Sequence, residues 1–239
     1  IRDRLRTDAR DPSFAEALVR AESITWATVD QLLDEAADAL TEGGAVRATF
    51  EALPDPSALM LGNSLPIRHA ETWVAPSSKL LLVHSQRGVS GIDGVVSGAA
   101  GIASIVDGPT TLLIGDVSFL HDLNALQLAS SAEGPLVLVV INNGGGRIFE
   151  QLPIARDGDA TWLPFFTTPH DVDLGSASAA FGCDHRRAAT LPELRAALDE
   201  AYRSEGCTVV EAVVPPQSSL EQHRELLRRV ERELGSEGA

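Results

Sequence analysis

Two short, uncharged runs rich in β-branched and apolar residues set the tightest constraint on this chain: residues 110–114 (TTLLI) and 136–141 (LVLVVI). Neither alternates apolar with polar residues. A strand with one face in water alternates; a strand buried on both faces does not. Each run also ends abruptly on polar residues. The first exits at Gly115-Asp116 and the second at Asn142-Asn143, followed by Gly144, Gly145 and Gly146. A helix-like stretch, 120–131, lies between them. Fully buried strands joined by helices point to a parallel sheet covered on both faces.

The rest of the chain extends this pattern. Apolar runs at 58–61 (ALML), 80–83 (LLLV) and 208–214 read as further strands. Helical spacing marks 25–40, 91–105, 172–181, 191–203 and 220–234, with a short helix over 45–53 stopped by Pro54 and Pro56. The economical fold class is α/β: a doubly wound, mostly parallel sheet with helices on both faces. Residues 1–22 are charged and turn-rich and read as the tail of a preceding domain or a linker. Residues 23–239 read as one α/β domain. Residues 150–169 are rich in Pro and aromatics without a period, and read as a long functional loop able to close over a ligand.

In such sheets ligands bind beyond the carboxyl ends of the strands. Four predicted exits carry polar loops: Gly62-Asn63-Ser64, Ser85-Gln86-Arg87-Gly88, Gly115-Asp116 and Asn142-Asn143. They are expected to converge on one rim. An acid and a carboxamide there, beside a glycine-rich turn, suit a hard divalent cation. Mg²⁺ takes oxygen ligands and keeps water and phosphate oxygens in its shell. Glycines let backbone approach an anion closely. The simpler alternative is that Asp116 only caps a helix and the glycines only turn the chain. The pairing of both features at consecutive exits favours the metal and diphosphate reading.

Charge narrows the partners. A formal net charge of −15 excludes a nucleic-acid surface, which needs a Lys/Arg excess. Any anionic ligand must be held by a local cluster of arginines against that field. Arg68, Arg87 and Arg147 fall at or just beyond predicted exits. Cys183 and Cys207 lack metal-ligand spacing and read as buried, reduced thiols of a cytoplasmic protein. The histidines (69, 84, 121, 170, 185, 223) show no metal pairing and read as packing or surface residues, with His84 near enough to an exit to face the site. Trp26, Trp73 and Trp162 read as packing residues. No run approaches the length of a membrane span. The charged start, IRDRLRTDARD, has no signal-peptide core and reads as the middle of a longer polypeptide.

Gly-Asp, about 27 residues, then Asn-Asn resembles the signature of thiamine-diphosphate-dependent enzymes. The words GNSLPIRHAE, SQRGVSGIDGVVSGAAG, GDVSFLHDLNALQL and VVINNGGGRIFEQLP, in that order, resemble 2-succinyl-5-enolpyruvyl-6-hydroxy-3-cyclohexene-1-carboxylate synthase of menaquinone biosynthesis. The resemblance covers roughly residues 25–215. It implies that Asp116, the Asn143 side chain and the Gly145 carbonyl hold Mg²⁺ or Mn²⁺ on the diphosphate of the cofactor, thiamine diphosphate. It implies cofactor contacts at Asn63, Ser64, Gly115, Ser118 and Ile148, with Ile92 supporting the bent cofactor. Ser64, Arg68, Arg87, Phe149 and Leu152 would meet substrate, the arginines through its carboxylates. Position 144 is glycine where relatives often carry asparagine, and position 86 is glutamine where asparagine is common.

The implied reaction is decarboxylation of 2-oxoglutarate and addition of the resulting succinyl carbanion to isochorismate. Both substrates are dicarboxylates, so forked guanidinium groups suit them. The cofactor carries the hard chemistry. The family also needs an activating glutamate from a pyrimidine-binding domain, and no matching motif occurs here. That glutamate is expected upstream, in another domain of the same enzyme, with no catalytic residue in this chain and the chain inactive alone. The resemblance further implies a homodimer or homotetramer. Two alternatives stay open: a related 2-oxo acid decarboxylase or acetohydroxyacid synthase-like enzyme, and a non-catalytic cofactor-binding module. A nicotinamide-binding domain is disfavoured, because Gly62-Asn63-Ser64-Leu65 does not supply GxGxxG.

Overall fold

The computed structural model describes residues 13–156 and 163–236. They fall into two compact units: residues 36–222, and a smaller one with residues 13–35 and 223–236. In the smaller unit, α1 (Ser13–Glu35) runs without a break through position 22. Arg229 donates to both carboxylate oxygens of Glu35, at 2.9 and 2.7 Å, and to Glu225 one turn back at 2.6 Å. Residues 1–12 and Trp162 lie outside the described residues.

The larger unit holds one six-stranded sheet. In chain order its elements are α2 (Glu42–Ala52), β1 (Ser57–Leu61), α3 (Leu65–Trp73), β2 (Leu81–Ser85), α4 (Val95–Ala103), β3 (Thr110–Gly115), α5 (Asp116–His121), α6 (Leu126–Ala129), β4 (Leu136–Asn142), α7 (Leu163–Thr167), α8 (Leu174–Ala179), β5 (Asp184–Ala188), α9 (Leu191–Ala201), β6 (Cys207–Val213) and the first residues of α10 (Ser218–Ser236), whose remainder belongs to the smaller unit. The strands lie in the order β2-β1-β3-β4-β6-β5, and every pairing is parallel. The chain leaves β1 toward β2 and returns to the other side at β3. That reversal opens a crevice at the carboxyl ends of β1 and β3.

The lack of alternation in β4 now has its cause. Val137, Val139 and Ile141 pack in one core with α2 and α9; Leu136, Leu138 and Val140 pack in the other with α4, α6 and α8. All are at most 4 % exposed. A strand with a helix layer on each face has no polar side to offer.

Several expected elements differ in detail. The helix expected over 25–40 stops at Glu35, where Ala37 takes a positive φ of 50°. Leu40 then enters the core of the larger unit. The single helix expected over 120–131 is two short helices with a tight turn between them. Asp122, at that break, accepts from the Val96 and Ser97 amides at 2.8 and 3.1 Å. It caps α4, which begins after Gly94 and has no side chain of its own for the task. Within 150–169, tight turns cover Arg147–Gln151 and Pro153–Arg156, and Leu163–Thr167 is helical.

Strand β5 has no counterpart in the sequence reading. Its residues, DHRRA, form no apolar run. It lies at the sheet's edge with β6 as its one neighbour, and most of its side chains are partly or fully exposed. Edge strands tolerate charge because one flank faces water.

Candidate active site

Three strand exits build a pocket. Its walls are Ser64 and the start of α3, Gly115 to Ser118, Ile141 and Asn143, Gly145 to Arg147, and Glu42 and His69. Asp116 is 2 % exposed and Asn143 6 %. The Gly145 amide donates to Asp116 Oδ2 at 2.9 Å, so the acid of one exit holds the glycine turn of the next. The Val117 amide donates to Asp116 Oδ1 at 2.7 Å. His170 Nε2 lies 3.2 Å from Asp116 Oδ2, a close contact rather than a well-aligned hydrogen bond. Burial pushes the Asp116 carboxyl above the usual carboxylate range, and the bonds from Gly145 and Val117 and the nearby His170 offset only part of that.

The glycine turn is shaped for this contact. Gly145 has φ +139°, and a Cβ there would collide with the Thr167 carbonyl oxygen. The Gly146 amide donates to that same carbonyl at 2.6 Å. Gly144, at φ +70°, sits in the left-handed region that asparagine also tolerates. The Gly145 carbonyl accepts from the Arg147 amide at 3.0 Å and keeps its second lone pair.

Asn143 is the most informative group. Its Nδ2 donates to Glu42 Oε1 at 2.6 Å, while its Oδ1 is buried without a hydrogen-bond partner. A buried carbonyl oxygen left unpaired is costly unless something binds it. Asp116, with its carboxylate, and Gly145, with its backbone carbonyl, line the same pocket as Asn143. This all-oxygen set fits a hard divalent cation. Among the described residues no group of three or more His, Cys, Asp and Glu side chains could hold a metal ion, so any cation here would also need amide and backbone oxygens. The residues present therefore fit a metal-bridged diphosphate.

The other expected site residues lie elsewhere. Asn63 is buried, but its amide donates to the Gln86 and Gly91 carbonyls at 3.3 and 2.5 Å, and its oxygen accepts from Arg87 at 3.2 Å. It ties the β1 exit to the β2 exit and does not line the pocket. Arg68 is exposed and donates to the Ser64 carbonyl at 2.7 Å. Arg87 is exposed. Ile92 and Ile148 are half-buried, outside the pocket wall. Phe149 and Leu152 are 37 % and 43 % exposed, and Phe149 meets Phe166 edge-on with ring centres 5.5 Å apart. Arg147 does line the pocket, paired with Glu150 at 2.7 Å and donating to the Asn143 carbonyl at 3.2 Å.

Sequence reasoning missed Glu42 and read three histidines as plain packing or surface residues. Each of the three meets a carboxylate: His69 meets Glu42, His170 meets Asp116, and His185 meets Glu211. The partners lie 26 or more residues away, so no local motif marks them.

Residues 69–212 match the model of the family described as thiamine pyrophosphate enzyme, C-terminal TPP binding domain. The chain is 47 % identical over 208 residues to a 2-succinyl-5-enolpyruvyl-6-hydroxy-3-cyclohexene-1-carboxylate synthase of Sorangium cellulosum, covering 85 % of this chain and 34 % of the relative. It is 38 % identical over 192 residues to the synthase of that name from Chlorobium limicola, covering 80 % and 33 %. A solved structure described as a putative thiamin diphosphate-dependent enzyme from Mycobacterium smegmatis superposes with a TM-score of 0.58 at 26 % identity, over 74 % of this chain and 32 % of that one. The chain thus spans about a third of the length of the curated relatives it matches. With its all-parallel sheet and the pocket at the β3 and β4 exits, the chain belongs to the thiamine-diphosphate enzyme family, as its C-terminal, cofactor-binding domain.

Proposed function

We propose that this chain grips the diphosphate of thiamine diphosphate through Mg²⁺ or Mn²⁺, held by Asp116, Asn143 Oδ1 and the Gly145 carbonyl. The observation that carries the reading is the buried, unpartnered Oδ1 of Asn143, a residue that lines the same pocket as Asp116. Gly115, Ser118 and Ser64 line that pocket and would lie along the cofactor. The bound cofactor would supply the electron sink for decarboxylating a 2-oxo acid. The protein's part is to orient it, to shed water from the site and to place charge.

The reaction we assign is that of the relatives' printed name: a four-carbon unit from 2-oxoglutarate is joined to isochorismate after loss of CO₂. Arg68 and Arg87 would take the substrate carboxylates by swinging from their present backbone and Asn63 contacts, and Phe149 and Leu152 would wall the space. Ile92 would support the cofactor, with Asn63 bracing the loops around it. The activating carboxylate would come from a pyrimidine-binding domain of the same enzyme, in a homodimer or homotetramer, in the cytoplasm. Among the described residues no helix is long and apolar enough to cross a membrane.

Calorimetry on the full-length protein tests the metal assignment. Thiamine diphosphate with Mg²⁺ should bind the wild type and fail on Asp116→Ala; equal binding by both removes it. Assaying 2-oxoglutarate against pyruvate, with isochorismate as acceptor, tests the substrate. Preference for pyruvate would move the chain to the acetohydroxyacid synthase-like alternative.

A further inference from the structure

Asn142 and Asn143 follow each other at the end of β4, so strand geometry sends their side chains to opposite faces of the sheet. On each face a buried glutamate backed by a histidine receives the carboxamide. Asn142 Nδ2 donates to Glu211 Oε1 at 2.6 Å, and His185 Nε2 lies 3.0 Å from Glu211 Oε2. Asn143 Nδ2 donates to Glu42 Oε1 at 2.6 Å, and His69 Nε2 lies 2.7 Å from Glu42 Oε2. The second relay continues: Trp73 Nε1 donates to His69 Nδ1 at 3.2 Å, and Ser219 Oγ lies 3.2 Å from His69 Nε2. Glu42 is 1 % exposed, His69 5 % and Trp73 fully buried.

Donor logic fixes every orientation in this chain of contacts. An indole N–H can only donate, so His69 Nδ1 must accept. The ring proton then sits on Nε2 and is given to Glu42 Oε2. A carboxylate has only acceptors, so Glu42 Oε1 must receive an N–H from Asn143. The Asn143 amide cannot flip, and its oxygen is the atom left for the pocket.

We infer that Glu42, locked by His69 and Trp73, is a positioning residue that holds Asn143 Oδ1 toward the cation. The inference rests on the metal reading proposed above. Groups that hydrogen-bond a metal ligand from behind orient it and commonly alter metal affinity 10- to 100-fold.

The relay makes an unusual forecast for Glu42→Gln, a nearly isosteric change. His69 still donates from Nε2, so the glutamine oxygen must face His69 and its NH₂ must face Asn143. Asn143 then flips and presents its NH₂ to the cation. Adding Trp73→Phe frees His69 to carry its proton on Nδ1 and to accept from the glutamine. Asn143 Oδ1 then returns to the site.

The test is Mn²⁺ titration of the full-length protein with saturating thiamine diphosphate, following free Mn²⁺ by electron paramagnetic resonance. Asp116→Ala should lose Mn²⁺ binding; wild-type affinity there would overturn the metal reading itself. With Asp116→Ala defective, Glu42→Gln should raise the Mn²⁺ Kd about 10- to 100-fold. The E42Q/W73F double variant should recover most of that loss although it removes more of the core. Wild-type affinity in E42Q would overturn the positioning role while leaving the metal reading intact. A double variant no better than E42Q would overturn it as well, because charge or packing, not amide orientation, would then govern binding. Melting curves without metal confirm that each variant compared is folded.

Discussion

The Gly145 amide donates to the Asp116 carboxylate at 2.9 Å, joining two strand exits that are 29 residues apart. Neither residue is in a regular strand-to-strand ladder at that point. The bond exists because β3 and β4 are parallel neighbours in register, with Gly115 opposite Ile141, so their exits leave the sheet side by side.

Asp116→Asn should separate stability from binding. Without metal, the wild type buries a carboxylate whose pKa is pushed up by that burial, a destabilising arrangement. The variant sheds that charge but must turn its NH₂ toward either the Gly145 or the Val117 amide and lose that bond, so its melting temperature without ligand should fall only slightly. Thiamine diphosphate with Mg²⁺ should raise only the wild-type value, by the equivalent of about 2.7 kcal/mol at a hundredfold excess over Kd. An equal ligand-induced shift in both proteins would remove Asp116 from the metal site.

Positions 144 and 145 should respond oppositely to a side chain. Gly145→Ala meets the Thr167 carbonyl at a φ of +139°, and should cost about 2 kcal/mol or more. Gly144→Asn has φ +70° and open space, with the Arg147 guanidinium 3.8 Å from where its Cβ would sit, and should cost under about 0.5 kcal/mol. Denaturant midpoints measure both. A neutral G145A would mean the turn is not held as described.

Ser64 has φ 71° and ψ −131°, a conformation that suits glycine far better than serine. It lines the pocket, where strain of this kind tends to collect. Ser64→Gly should stabilise the fold by about 1 kcal/mol, read from the urea midpoint. Destabilisation instead would show that the serine side chain contributes more than its backbone costs.

Tyr202, the chain's single tyrosine, shares a 2.8 Å hydrogen bond with Thr111 across 91 residues. Burial pushes its pKa up to about 12, with the Thr111 bond offsetting part of the rise. The unfolded chain ionises near ~10. Below that pH both states keep the proton and the group leaves stability unchanged by pH. As pH rises from there through about 12, the unfolded state releases its proton first, so stability falls. Absorbance of tyrosinate should stay absent until the upper end of that window or until unfolding. Tyr202→Phe should abolish this part of the pH slope and cost about 1 to 2 kcal/mol, because the Thr111 hydroxyl stays buried. Titration of Tyr202 near pH ~10 in the folded chain would contradict its burial.

How much of this was legible in the residues follows from the range of the forces involved. Strands β1, β3, β4 and β6 announce themselves as apolar runs because each is buried on both faces, and burial writes composition locally. Strand β5 stays silent because an edge strand can carry DHRRA at no loss. Asp116 and Asn143 were legible as an acid and a carboxamide at neighbouring exits, and the structure brings both into one pocket. Asn63 and Arg147 have the right residue types at such exits, but local neighbours engage both: Asn63 braces two loops and Arg147 pairs with Glu150.

The sequence by itself determined the class of sheet and the place of the polar rim that the strand exits form. These depend on apolar runs, turn residues and residue types at known distances along the chain. Only the tertiary structure decided that Glu42, 101 residues before Asn143, would hold that amide, and that His69 and Trp73 would orient Glu42 in turn. A hydrogen bond reads distance in space and donor direction, and neither is written in sequence separation. Polar residues at a strand exit can thus be read from the chain, while the groups that orient them appear only once the helix before β1 has packed against the sheet.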